Sequence, residues 1–178
     1  MSAGSATSRP GAHWADLARE AAARANGGRA AGAQEGWLHA QRLIVFRVDE
    51  ALYALPVERV REIVRVRPIT PVPRLPAAVI GVISLRGQVL QVIDLRLRLG
   101  LPGVAGARRA RIVVAHDGDG RVAGILVDAV EEVVTAGEET FCDAPGGAAG
   151  VVAGLFRREG RFVSIVDLDR VMDLDAVA

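Results

Sequence analysis

From Leu43 onward, short apolar runs alternate with pairs of turn-forming residues. Leu43-Ile44-Val45-Phe46, then Asp49-Glu50, then Leu52 to Pro56 predict a hairpin. Val57, Val60, Ile63 and Val64 follow at helical spacing, with Glu58, Arg59, Arg61 and Glu62 on the other face, so a short amphipathic helix is expected next. Pro68, Pro71, Pro73 and Pro76 then forbid regular helix and force an extended connection. Ala78 to Leu85 is a second apolar run, Arg86-Gly87 marks a tight reversal, and Val89 to Ile93 resumes the strand pattern. Asp94 is placed to cap one helical turn, Leu95 to Leu99, which Gly100 and Pro102 stop.

The same order of elements occurs twice. Gly81 to Leu99 (GVISLRGQVLQVIDLRLRL) and Gly154 to Met172 (GLFRREGRFVSIVDLDRVM) match at an offset of 73, with Gly81, Gly87 and Asp94-Leu95 facing Gly154, Gly160 and Asp167-Leu168. Upstream, Leu55 to Val64 aligns with Ile125 to Val134 at an offset of 70, placing Val57, Val60, Glu62 and Ile63 opposite Val127, Val130, Glu132 and Val133. Each copy is about 65 residues, close to the lower limit for a self-sufficient core, so the halves are expected to need each other. Short strands with no long helical crossover favour a mainly β fold of two small antiparallel barrels over a parallel sheet. The domain is expected over 42–176, with subdomains at about 42–100 and 110–173.

Residues 1–41 break this pattern, being rich in Ala, Gly and Ser. Trp14, Leu17, Ala18, Ala21, Ala22 and Ala25 recur at helical spacing, so the extension reads as a flexible or partly helical tail. The charges at Asp16, Arg19, Glu20 and Arg24 argue against a signal peptide. No apolar run approaches the length of a membrane span, and cytoplasmic residence is expected.

Composition narrows the chemistry. The 178 residues carry a formal net charge of +1, which implies no charge-driven partner, and every one of the 22 basic residues is Arg. Cys142 is the one cysteine, ruling out an internal disulfide and a Cys-rich metal site, and its neighbour Asp143 disfavours an activated thiolate. His13, His39 and His116 are scattered. There is no phosphate loop, metal-spaced histidine pair or nucleophile elbow. Gly118-Asp119-Gly120 and Gly146-Gly147 read as ordinary turns, and Asp94 and Asp167 as matching helix caps. No enzyme, cofactor or metal is expected. Arg108, Arg109 and Arg111 raise the alternative of a small barrel binding single-stranded nucleic acid. Against it, Phe46, Phe156 and Phe162 lie in apolar runs suited to core packing. Arg86 is the notable cation: it stands at a turn beside a strongly apolar strand, where it reads either as a solvated turn residue or as a guanidinium placed to meet a partner.

The segment Pro76 to Leu99, with Gly81-Val82-Ile83-Ser84-Leu85-Arg86-Gly87 and Val92-Ile93-Asp94-Leu95-Arg96, resembles the signature of the CheW family of chemotaxis coupling proteins. The likeness runs from about Leu43 to Met172 and includes Val60-Arg61-Glu62-Ile63, Gly124 to Asp128 and Ser164 to Leu168. It implies two tandem five-stranded SH3-like β-barrel subdomains and a non-enzymatic adaptor or scaffold in chemotaxis signal transduction. The partners it implies are a chemoreceptor (methyl-accepting chemotaxis protein) cytoplasmic tip and the regulatory domain of a CheA-type histidine kinase, with no nucleic acid and no direct membrane insertion. Localisation would be cytoplasmic, recruited to membrane-associated chemoreceptor arrays. Carried over by position, receptor binding falls to Val60, Glu62, Arg86, Val89, Ile112, Gly124, Val130 and Val133, and kinase binding to Ile63, Val64, Arg65, Val66 and Gly81. Gln91 stands where the family commonly has Pro.

Overall fold

The computed structural model describes residues 42–103, 108–135, 142–143 and 150–174; the predicted helix around Trp14, the Gly146-Gly147 turn and the Cys142 side chain lie outside the described residues. The first copy of the repeat forms β1 (Arg42–Val48), β2 (Ala51–Pro56), β3 (Val60–Arg65), β4 (Val79–Leu85), β5 (Gln88–Asp94) and the helical turn α1 (Leu95–Arg98). The second forms β6 (Arg111–His116), β7 (Val122–Val127), β8 (Ala129–Thr135), the two-residue β9 (Cys142–Asp143), β10 (Val152–Arg158), β11 (Arg161–Val166) and α2 (Leu168–Met172). The fold is mainly β, built as two small SH3-like sheets.

The strand order shows how the copies interlock. One sheet runs β8-β1-β2-β11-β10-β9 and the other β3-β6-β7-β5-β4. Written in repeat-equivalent strands, the two orders are the same, but the first hairpin has changed places: β1–β2 sits among second-copy strands, and β6–β7 among first-copy strands. Each sheet therefore draws strands from both parts of the chain. The exchange also creates two parallel seams, β2 with β11 (Ala54↔Ile165) and β5 with β7 (Ile93↔Ile125), where sequence alone predicts antiparallel pairing throughout. No local crossover is needed, because the parallel neighbours come from different copies.

Three apolar clusters follow from the period-two alternation of these strands. Leu43, Val45, Ala54, Phe156, Val163 and Ile165 fill the six-stranded sheet. Ile83, Leu85, Leu90, Val92, Ile112 and Val114 fill the five-stranded one. The opposite faces, including Phe46, Tyr53, Leu55, Ile93, Val113 and Ile125, meet in a central cluster closed by Leu95 of α1 and Leu168, Val171 and Met172 of α2. Phe46 and Tyr53, directly opposite on β1 and β2, stack with centroids 6.2 Å apart.

One sequence expectation is corrected. The predicted amphipathic helix over Val57 to Val64 is a single 3-10 turn, Val57–Arg59, followed by strand β3. In β3, Val60, Glu62 and Val64 are half-buried and Arg61, Ile63 and Arg65 exposed, a strict alternation. Its β-branched residues favour extended backbone, and pairing with β6 supplies the hydrogen bonds that a short isolated helix would lack. The capped helical turns form as expected: Asp94 Oδ1 accepts from the Arg96 N–H at 2.8 Å, and Asp167 Oδ1 from the Arg170 N–H at 3.2 Å.

Candidate functional site: a hairpin tip, an edge strand and exposed valines

The β4–β5 hairpin turns at Arg86-Gly87 with positive φ at both residues, +50° and +81°. This is the sign pattern of a type I′ turn, whose twist suits paired strands. A non-glycine residue in this region is held at a cost of about 1 kcal/mol. The matching turn, Glu159-Gly160, has φ of +48° and +78°, so the backbone geometry is retained while the side chain changes. The turn therefore does not demand Arg; what Arg86 contributes lies beyond it.

The Arg86 side chain is 78% exposed, and its Nη2 donates to Glu62 Oε2 at 3.1 Å. An exposed pair of this kind adds little to stability, about 0–1 kcal/mol. Its effect is positional. Glu62 lies on β3 at one end of the sheet order, and Arg86 follows β4 at the other, so the pair spans the two end strands. Arg67 Nη1 donates to the Ser84 carbonyl at 3.1 Å, and Thr70 exchanges two 2.9 Å backbone hydrogen bonds with Val82, so the proline-rich connector is strapped across β4. Gly81 lies beneath that strap with φ of +144°, and a Cβ there would stand 2.3 Å from the Thr70 carbonyl oxygen. The glycine is what lets the two backbones approach.

Five large hydrophobic residues are exposed among the described residues: Ile63, Val66, Val72, Val89 and Val133. Four of them are positions singled out from the sequence; Val72, between Pro71 and Pro73, was not. Val89 is 72% exposed on β5, three residues beyond Arg86, while Val133 stands on β8 of the other sheet. Val60 and Val130 are half-buried against the same central cluster, which brings the starts of β3 and β8 onto one apolar base. Val64 is half-buried against the five-stranded sheet's core, and Arg65 is exposed. Three of the sequence-derived positions are inside. Ile112 is 0% exposed, Gly81 is buried, and Gly124 is buried with Ile112 Cγ2 only 2.6 Å from where its Cβ would be. These three shape the surface from below and present no side chain to it.

Sequence reasoning missed the ion cluster that ties the copies together. Arg96 of α1 donates Nε and Nη2 to Asp128 and Nη2 also to Asp49, while the Asp49 N–H donates to Asp128 Oδ2 at 2.7 Å. Burial pushes the Asp128 carboxyl up, but the Arg96 and Asp49 hydrogen bonds outweigh it and hold the group below its ordinary range. Asp94 has the opposite balance: burial raises it further than its two backbone hydrogen bonds lower it. The signal for this cluster is a charged residue at the end of each of three apolar runs, which a one-dimensional reading cannot join. The Arg trio is also divided: Arg109 Nη2 approaches Glu131 at 3.7 Å, Arg111 bonds the Arg109 and Ala110 carbonyls, and Arg108 lines a cleft of about 900 Å³. No group of three or more His, Cys, Asp or Glu suited to a metal ion occurs among the described residues.

Residues 42–176 match the family model described as CheW-like domain. The chain belongs to the CheW family. It is 38% identical over 135 residues to Chemotaxis protein CheW of Rhizobium meliloti (strain 1021), covering 74% of this chain and 86% of that one. Chemotaxis protein CheW of Bacillus subtilis (strain 168) is 34% identical over 140 residues, covering 76% and 89%. The crystal structure of scaffolding protein TtCheW from Thermoanaerobacter tengcongensis superposes with a TM-score of 0.69 at 30% identity, over 75% of this chain and 93% of that one. Family membership agrees with the two-sheet architecture, and it gives the nucleic-acid alternative no support.

Proposed function

We propose that this CheW-family chain is a non-enzymatic scaffold that couples a chemoreceptor cytoplasmic tip to a CheA-type histidine kinase, acting in the cytoplasm at receptor arrays. One observation carries the reading: four of the five exposed large hydrophobics coincide with positions named from the family resemblance, and they accompany an exposed guanidinium held by Glu62. Apolar anchors beside a positioned arginine are what a protein-docking surface uses. Receptor contact is assigned to Val60, Glu62, Arg86, Val89, Val130 and Val133, with Ile112 and Gly124 supporting from beneath. Kinase contact is assigned to Ile63 and Arg65 on β3 and to Val66 just beyond it, with Val64 and Gly81 supporting.

The test is Arg86→Glu, which sets a carboxylate opposite Glu62 and removes the guanidinium. Co-sedimentation with receptor-bearing membranes should fall by tenfold or more, with kinase stimulation lost alongside, while the melting temperature shifts by no more than about 2 °C. Undiminished co-sedimentation would remove the assignment of Arg86 to the receptor surface.

A further inference from the structure

One buried row of the six-stranded sheet ends in an uncovered valine. Leu55 on β2, Ile44 on β1 and Val133 on β8 are successive cross-strand partners. Directly opposed residues share a face, and Ile44 alternates with Phe46 of the central cluster, so the whole row points to that side. Leu55 and Ile44 are 0% and 4% exposed, whereas Val133 is 50% exposed on an end strand of the sheet. Val130 joins it there. The β1–β8 register slips between Val45 and Phe46, setting Glu132 opposite Val45 and Val130 opposite Phe46. Glu131 is the residue left over, and this bulge is what lets two valines three positions apart face the same way. A lone surface valine needs no cover; one that continues a buried row, with half-buried Val130 beside it, forms a patch.

Residues 1–41 join the fold at this patch. β1 begins at Arg42, whose partner on β8 is Thr135, two residues from Val133. The chain thus enters roughly 7 Å from the exposed valine, at about 3.3 Å per strand residue. Earlier in the sequence, Trp14, Leu17, Ala18 and Ala21 share one helical stripe, with Asp16 and Glu20 on the opposite side. Residues 26–41, rich in Gly and Ala, separate that stripe from Arg42. A chain of this length and composition spans about 22 Å, enough to return the stripe to the patch. Tethering also supplies an effective concentration on the order of 1 mM, so a weak apolar contact suffices.

We infer that the segment around Trp14 to Ala21 docks as a helix on Val130 and Val133, Trp14 and Leu17 covering the exposed valine, and acts as a built-in competitor of the receptor tip. Docking gives the helix the apolar support that a lone helix of about a dozen residues lacks in water. The competition rests on the receptor assignment of Val130 and Val133 proposed above; the docking itself does not.

The experiment compares the full chain with Leu17→Asp and Val133→Asp. Both tryptophans, Trp14 and Trp37, precede Arg42, so in a Trp37→Phe background the emission reports Trp14 alone. Each substitution should shift that emission to longer wavelength as the indole returns to water. Leu17→Asp should also move the amide NMR signals of Ile44, Val130 and Val133 while leaving that of Val89, on the other sheet, in place. Co-sedimentation of Leu17→Asp with receptor-bearing membranes should rise about threefold, the gain expected when the open form goes from about one third of the population to nearly all. Unmoved β8 amides with unchanged Trp14 emission overturn the docking. So does a Trp14 emission that shifts on dilution, which would give the patch to a second copy of the chain. Amide shifts without a gain in co-sedimentation support the docking and overturn the competition, whereas failure of Arg86→Glu to lower co-sedimentation strikes the receptor reading alone.

Discussion

Gly124 and Gly81 show how single atoms set the shape of the candidate site. A Cβ at Gly124 would meet Ile112 Cγ2 at 2.6 Å, a side-chain atom on a neighbouring strand that can shift by tenths of an ångström. Gly124→Ala should therefore cost about 1–3 kcal/mol, read as a lower urea midpoint. At Gly81 the obstacle is the Thr70 backbone carbonyl, with a positive φ besides, so Gly81→Ala should cost more and expose the Thr70 and Val82 amides to hydrogen exchange. The reverse order of these two costs would count against the strap geometry. Two carboxyls give a pH signature of opposite sign. Asp128 is held below its ordinary value, so its stabilisation is complete above the unfolded carboxylate pKa of about 3.9 and is lost as pH falls through the lower folded value. Asp94 is raised, so its contribution is complete below about pH 3.9 and is lost as pH rises through the folded value. Asp94→Asn keeps a capping oxygen and removes the buried charge. Measured by urea unfolding, the variant should gain on the parent protein as pH rises from 3 to 7, and a flat difference would contradict the burial argument.

Among the elements, the hairpins and capped helical turns were readable because their chemistry is local: Asp94-Leu95 and Asp167-Leu168 carry cap and apolar anchor in adjacent residues, Arg86-Gly87 breaks a long aliphatic run, and Gly160 matches Gly87 in the repeat. The strand β3 was misread because Val57, Val60, Ile63 and Val64 satisfy helical spacing while Val60, Glu62 and Val64 satisfy strand alternation, and only the distant partner β6 decides between them. The site was legible in part for the same reason. Arg86, Val89 and Val133 are exposed where family resemblance put them, but nothing local told that Ile112 and Gly124 point inward or that Asp49, Arg96 and Asp128 converge. The cap at Asp167 can be weighed separately. It accepts from the Arg170 N–H and pairs with the Arg170 guanidinium at 3.3 Å, so Asp167→Ala should destabilise by about 1 kcal/mol. Thermal unfolding would report this, and Asp167→Asn, which retains a cap, should recover most of it.

At the scale of the molecule, the exchanged hairpins remove any independent half. Each sheet takes two strands from one copy and the rest from the other, and the central cluster draws on both sheets and both helical turns. Unfolding should follow a single cooperative transition, with fluorescence and circular dichroism midpoints coincident in urea; two separated transitions would mean that the copies hold structure alone. The exposed candidate positions on the two sheets are thereby held in one arrangement, since moving β3 against β8 would require opening the central cluster that both sheets share.

Those seams also speak to descent. If two single copies exchanged their first hairpins, they would reproduce both sheets, the arrangement of a strand-swapped homodimer. Joining two such units head to tail would turn an association that depends on concentration into one fixed by covalent linkage. It would also free the two faces to diverge, as Arg86 and Glu159 at matching turns have done.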